Sequence, residues 1–177
     1  MTEMPLFPLG QALFPAGVLH LRIFEVRYLD MIRRSIAEGT PFGVVVLYAG
    51  GEVRSPQGGE VLAPVGTLAA IDRWEAPAPA LLELTCVGTT RFRLQRGWQG
   101  KFGLWMGEAE MLPDDPVVDV PPELHPGADA LGRLIASMQQ QGVPPADMPL
   151  APPFRLDECA WVADRWCELL PLPPAEG

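Results

Sequence analysis

Lysine is nearly absent: of 13 basic residues in 177, one is Lys101 and the rest are arginine. A phosphate-binding loop needs Gly-Lys followed by Ser or Thr. Lys101 is followed by Phe102, so nucleotide hydrolysis through such a loop is excluded. Serine is scarce as well, with Ser35, Ser55 and Ser137 the three in the chain. A Ser–Lys hydrolase would have to pair Ser35 or Ser55 with Lys101. Ser35 is expected at the exposed end of a helix, Ser55 in a glycine-rich loop and Ser137 within a later helix, none of which is a nucleophile elbow. The three cysteines, Cys86, Cys159 and Cys167, have no C-x-x-C spacing and cannot make a disulfide framework. Their odd number and apolar neighbours suit buried thiols in a reducing compartment. With His20 and His125 as the two histidines, no zinc-ligand spacing is present and no metal or cofactor site is expected. Cys86 paired with His20 or His125 is the one nucleophile pair that can be assembled. A thiol between Thr85 and Val87 reads instead as small apolar filler, and His20 as a hydrogen-bonded structural residue. Long apolar runs are missing: the densest, residues 44–49, falls far short of the roughly 20 residues a membrane helix needs. The start Met-Thr-Glu-Met-Pro has no basic region followed by an apolar one, so a cytoplasmic setting with no membrane partner is expected.

What is present describes an ordinary globule. Apolar residues are 48% and charged residues 20%, with a mean hydropathy of +0.13, which excludes a disordered acidic chain. The length suits one domain, with or without a small helical appendage. Charge is uneven. Residues 1–112 hold 10 cations and 11 acids, whereas residues 113–177 hold 3 and 11, so most of the net −9 lies in the last third. That third also holds 13 of the 21 prolines. The expected division is a β-barrel domain over 1–112 and an acidic, proline-rich connector with a helical subdomain over 113–177.

Along the first part, short runs of β-branched and aromatic residues alternate with turn residues. Residues 4–9 contain Pro5 and Pro8 and should form an edge strand or a strand end. Residues 14–17 read as a turn and 18–23 as a strand. Residues 25–38 read as a helix with Val26, Leu29, Ile32, Arg33 and Ile36 on one face, Glu25 in the first turn and Gly39 as C-cap. Residues 42–48 read as a strand buried on both faces. Residues 50–63 suggest a loose excursion, and strands follow at 65–76, 81–89, 91–98 and 101–112. About six strands and one helix, mostly hairpin-linked and broken by Gly and Pro, argue a small, partly closed barrel: mainly β with α. Two helices follow. Residues 127–141 carry a stripe of Leu131, Leu134, Ile135 and Met138. Residues 156–170 carry Ala160, Ala163, Trp166, Cys167 and Leu170, with Asp157 as a cap.

Two surface features remain. Arg91, Arg93, Arg96 and Lys101, interleaved with Phe92, Trp98 and Phe102, combine charge with stacking surfaces as single-stranded nucleic acid requires. The alternative is a strand with a solvated Arg face. The carboxylate pairs Asp114/Asp115, Glu108/Glu110 and Asp157/Glu158 lack a polar cluster around them and read as solvated.

The N-terminal blocks Pro5-Leu-Phe-Pro-Leu9, Leu13-Phe-Pro-Ala-Gly17 and Leu21-Arg-Ile-Phe-Glu-Val-Arg-Tyr28 resemble the N-terminal substrate-recognition domain of Lon-type ATP-dependent proteases. The pattern there is P-L-F-P-L, then L-F-P-G, then L-x-I-F-E-x-R-Y; Ala16 is the departure, standing before a glycine that usually follows the proline directly. Phe42-Gly-Val-Val, Val65-Gly-Thr-Leu-Ala, Gly88-Thr-Thr-Arg-Phe-Arg-Leu and Glu168-Leu-Leu-Pro-Leu look like later blocks. The resemblance implies a PUA-like pseudobarrel followed by helices. It also implies a binding module without the ATPase and Ser–Lys peptidase of full-length proteases, hence no catalytic residue. Expected ligands are unfolded or extended polypeptides, with a separate protease or chaperone as a further partner. Phe14, Phe24, Tyr28, Trp74, Trp98 and Trp105 are the aromatic residues available to line a groove. RNA or other nucleic acid held by Arg91, Arg93, Arg96 and Lys101 is the alternative.

Overall fold

The computed structural model describes residues 2–49, 61–100, 103–113, 117–144 and 147–169. Strand β1 (Thr2–Leu9) and β2 (Val18–Ile23) precede helix α1 (Val26–Glu38). Then come β3 (Phe42–Ala49), β4 (Val61–Ala78), β5 (Leu81–Gln99) and β6 (Trp105–Met111). After a short 3-10 turn, α2 (His125–Gln140) and α3 (Cys159–Leu169) are the last of the described elements. Of the expected features, Ser55, Lys101, Phe102, Asp114, Asp115 and Leu170 lie outside the described residues.

The six strands run in the order β2-β5-β4-β3-β1-β6, and β6 pairs again with β5. The last pairing closes β5, β4, β3, β1 and β6 into a ring and leaves β2 on its flank. The expected barrel is therefore present. Its closure depends on the 19-residue β5, which the pattern had split at Thr89 into two strands. The first half of β5 pairs with β2 from Leu82 to Val87, and the second half pairs with β6 from Phe92 to Gln99. Gly88, between the halves, is where the strand changes neighbours. Here the N–H of Ala16 donates to the Gly88 carbonyl, and the Gly88 N–H to that of Gly17, both at 2.8 Å.

β1 corrects a second expectation. It lies between β3 and β6 rather than at an edge, and its prolines are tolerated because its two pairings barely overlap. Thr2 to Leu6 pair with β6, and Leu6 to Leu9 pair with β3 in parallel. Each proline thus sits in a half-strand with a single neighbour, which spares the missing N–H.

Helix α1 ends as expected at Gly39, whose φ of 66° suits glycine and whose N–H donates to the Ser35 carbonyl. Its buried face is rotated from the expected one. Tyr28, Leu29, Ile32 and Ser35 are buried, whereas Val26 and Arg33 face out, because Arg33 reaches across to the carbonyl of Pro79 at 2.8 Å. One apolar core lies under α1 and includes Phe7, Leu21, Ile23, Tyr28, Ile32, Phe42 and Leu84. A second fills the ring with Met4, Leu6, Val45, Phe92 and Ala109. The C-terminal segment builds its own from Leu131, Ile135, Leu150, Trp161 and Val162. There α3 also turns a different face inward: Trp161, Val162 and Arg165 are buried, and Ala163 is exposed. Asp157 lies ahead of the helix, where its carbonyl accepts from the N–H of Val120 at 3.1 Å.

Candidate functional site

The turn from β2 into α1 is firm on its inner side and apolar on its outer side. Ile23 is 1% exposed, while the adjacent Phe24 is 69% exposed. Most of the roughly 1.5–3 kcal/mol that a buried Phe contributes is therefore forgone at this position. Val26, the first residue of α1, is exposed as well. Arg27 holds the corner from beneath. Its buried guanidinium donates from Nη1 to the Gly103 carbonyl at 3.0 Å, faces Glu25 at 3.5 Å and lies 4.6 Å over the Tyr28 ring. That ring packs on Phe7, with centroids 4.4 Å apart. A hollow of about 160 Å³ opens here among Phe7, Pro8, Ile23, Phe24 and Tyr28, with Arg22 on its border.

Arg22 also borders a larger groove, of about 690 Å³, along β2, β5 and β4, where Leu21 and Leu84 line it as well. His20, Glu83, Thr85, Arg73, Glu75 and Asp147 give it a polar rim, and Trp74 supplies the aromatic surface, half exposed. Its two arginines are paired: Arg22 faces Glu83 at 3.8 Å and Arg73 faces Asp72 at 3.7 Å. Exposed pairs of this kind contribute little to stability, and with Glu75 and Asp147 also in the lining the rim carries an acidic excess.

Of the six aromatic residues singled out, Phe24 and Tyr28 line the smaller hollow and Trp74 the larger groove, the two sharing Arg22, and the other three lie apart. Phe14 borders a hollow with Leu13, Val44, Val46 and Ala63. Trp98 lies under the Arg96 guanidinium at 4.6 Å. Trp105 packs on the core inside the ring. The arginine stripe is dispersed by the β5–β6 register, which sets Arg93 opposite Glu110 and Arg96 opposite Glu108, the latter pair 3.8 Å apart. Arg91 is half-buried.

One cluster was not legible in the pattern. Arg165 of α3 is fully buried. Its Nη2 donates to the Pro15 carbonyl at 2.7 Å and to Glu168 Oε1 at 2.8 Å, and Trp161 lies beneath the guanidinium at 5.4 Å. The Glu168 carboxylate covers Gly17 so closely that a Cβ there would collide with it. Burial pushes the Glu168 carboxyl up to about 7, against the pull of Arg165. Ala16 in the same turn adopts a φ of 64°, the left-handed region that glycine favours. The block of the sequence resemblance at 13–17 and Glu168, the first residue of the last block, thus meet in space and join the helical segment to the barrel. Their shared membership of that pattern was the available signal.

The nucleophile candidates are placed differently from one another. Burial, reinforced by Asp72, pushes the Cys86 thiol up to about 12, so it holds its proton at neutral pH. Ser35 is buried rather than exposed, and Ser137 accepts from Gln141 at 3.4 Å. His20 Nδ1 lies 3.4 Å from the Thr85 hydroxyl. Among the described residues no His, Cys, Asp and Glu cluster of metal-binding geometry occurs, and no helix is long and apolar enough to cross a membrane.

Residues 3–176 match the family described as the ATP-dependent protease La (LON) substrate-binding domain. A Lon N-terminal domain protein from Xanthomonas campestris is similar at 32% identity and a TM-score of 0.75, covering 99% of this chain and 87% of that one. The N-terminal domain of the Mycobacterium avium complex Lon protease gives 13% identity and a TM-score of 0.48, over 98% of this chain and 78% of that one. No curated protein matches.

Proposed function

The chain belongs to the ATP-dependent protease La (LON) substrate-binding domain family, and from that premise we propose that it binds unfolded or extended polypeptides and performs no chemistry on them. The observation that carries this reading is the exposure of two large aromatic residues, Phe24 at 69% and Trp74 at 50%, each lining a hollow that Arg22 borders. Large aromatic side chains on a rigid scaffold suit the capture of apolar side chains, because little conformational freedom is lost on contact. In a cytoplasmic setting such a module would sense unfolded protein or pass it to a separate protease or chaperone. The nucleic-acid alternative rests on Arg91, Arg93, Arg96 and Lys101. It is weakened by the glutamates facing Arg93 and Arg96 and by a net charge of −9 that repels phosphate.

The test is titration of a fluorescently labelled, permanently unfolded protein, read by anisotropy without ATP. Saturable binding is expected. In the double variant Phe24→Ala/Trp74→Ala a loss of about 2 kcal/mol, roughly thirtyfold, is expected. No saturable change with the parent protein overturns the reading. A mobility shift of single-stranded RNA at low salt, absent in Arg93→Ala/Arg96→Ala, would favour the alternative.

A further inference from the structure

β2 pairs with β5 in unbroken register from Val18 to Ile23, yet it is the terminal strand of the sheet. Edges of this kind are ordinarily blunted by charged side chains, above all Lys, by Pro, by a bulge or by a covering segment. β2, with the sequence VLHLRI, has no Lys or Pro, its one arginine, Arg22, faces Glu83 of β5 at 3.8 Å, and no bulge interrupts its pairing. Its cover is partial. Leu150 makes an isolated antiparallel bridge to Gly17, one residue ahead of the strand, and Asp147 of the same segment reaches the groove beside His20. The chain's own backbone thus already lies along the start of this edge as an extra strand would.

The direction of the free groups follows from the ladder. The Gly17 carbonyl accepts from Gly88, and in an antiparallel pair the bonded positions alternate. Leu19, Leu21 and Ile23 therefore turn their main-chain groups toward β5, and Val18, His20 and Arg22 turn theirs outward. Side chains of a strand laid beside Arg22 would alternate between two faces. One face is the solvent side of the sheet, where His20 and Arg22 are exposed and Glu83 lies 3.8 Å from Arg22. The other, on the side of the core-facing Ile23 and Tyr28, meets the apolar hollow beneath Phe24.

We infer that the open edge of β2 at His20 and Arg22 takes an extended polypeptide as an added strand, and that it selects segments whose side chains alternate apolar and polar. This deepens the polypeptide-binding reading and rests on it. The hollow that Arg22 borders with Phe24 then serves as the apolar side-chain subsite of the bound strand, and main-chain hydrogen bonds make recognition tolerant of sequence.

The experiment uses labelled peptides of about eight residues, a typical strand length. One alternates Val with Thr and Gln, and one carries the same residues with the valines in a single block. Two more are alternating peptides N-methylated on every second amide, in one phase or the other. The alternating peptide is expected to bind about tenfold more tightly than the blocked one. N-methylation in one phase should cost about tenfold or more, and in the other phase almost nothing, since only alternate amides face β2. Amide hydrogen exchange of the whole chain should slow at His20 and Arg22 on binding, while Leu19 and Leu21 are already protected. Equal binding of all four peptides, or protection gained elsewhere, overturns strand addition and leaves polypeptide binding standing. Failure of every peptide while an unfolded whole protein still binds likewise overturns the inference alone. Failure of both probes overturns the inference together with the reading beneath it.

Discussion

Arg165→Ala tests how the helical segment is fastened to the barrel. Arg165 is fully buried and bridges the Pro15 carbonyl and Glu168. Truncation leaves a carboxylate in a site only 15% exposed and a carbonyl without its donor. Breaking a buried pair from one side costs about 3–5 kcal/mol. For a chain of this size each kcal/mol lowers the melting temperature by about 2–4 °C, so a fall of roughly 6–20 °C is expected at pH 8. The assay is thermal and urea unfolding followed by tryptophan fluorescence, with Trp161 and Trp166 both in α3. A loss below about 1 kcal/mol, the size typical of an exposed pair, would refute the reasoning. Glu168→Gln adds a pH signature. A carboxyl raised from 4.5 to about 7 in the folded chain contributes stability fully present below pH 4.5. That contribution is lost as pH rises through about 7. The stability difference between parent and Glu168→Gln should therefore shrink across this window by up to about 3 kcal/mol. A difference independent of pH would mean that burial does not hold the proton on Glu168.

Three further outcomes are expected. Gly17→Ala should destabilise the protein by about 1–3 kcal/mol, the cost of overpacking, because the added methyl meets Glu168 and the Phe14 carbonyl; urea midpoints measure it. Cys86, 0% exposed and with its thiol pushed up to about 12, should react with a thiol reagent at pH 7.5 only as fast as the protein unfolds, and faster labelling in native conditions would contradict its placement. Thr67→Val should cost about 1–3 kcal/mol by stranding the Leu13 carbonyl, which now accepts from the Thr67 hydroxyl at 2.7 Å. An unchanged denaturation curve would show that the 13–17 turn does not depend on that bond.

Much of the architecture could be read along the chain because it is written in local periods. Unbroken apolar residues at 42–47 mark a strand covered on both faces, and all six are buried. Gly39 marks a helix end through its own backbone freedom. The aromatic residues at 24, 28 and 74 could be named as candidates from their type alone. Long-range pairing left no such local mark. A single β5 that changes partner from β2 to β6 looks like two strands, since residues 81–89 and 91–98 each satisfy a strand pattern. The neighbour across the ladder is what joins them. Buried helix faces were misread where a polar group was recruited from far away: α3 turns Arg165 inward because a carbonyl 150 residues earlier receives it.

The chain by itself determined a β-rich barrel with appended helices, the family it belongs to, and the absence of a lysine-bearing phosphate loop. Those properties reside in residue type and short spacing. Tertiary structure alone decided that Phe24 and Trp74 each line a hollow bordered by Arg22 while Trp98 and Trp105 do not. It also decided that Arg93 and Arg96 face glutamates, and that β2 is the terminal strand of the sheet among the described residues. Each of these is a matter of register and closure, set by which strands find one another once the core is buried.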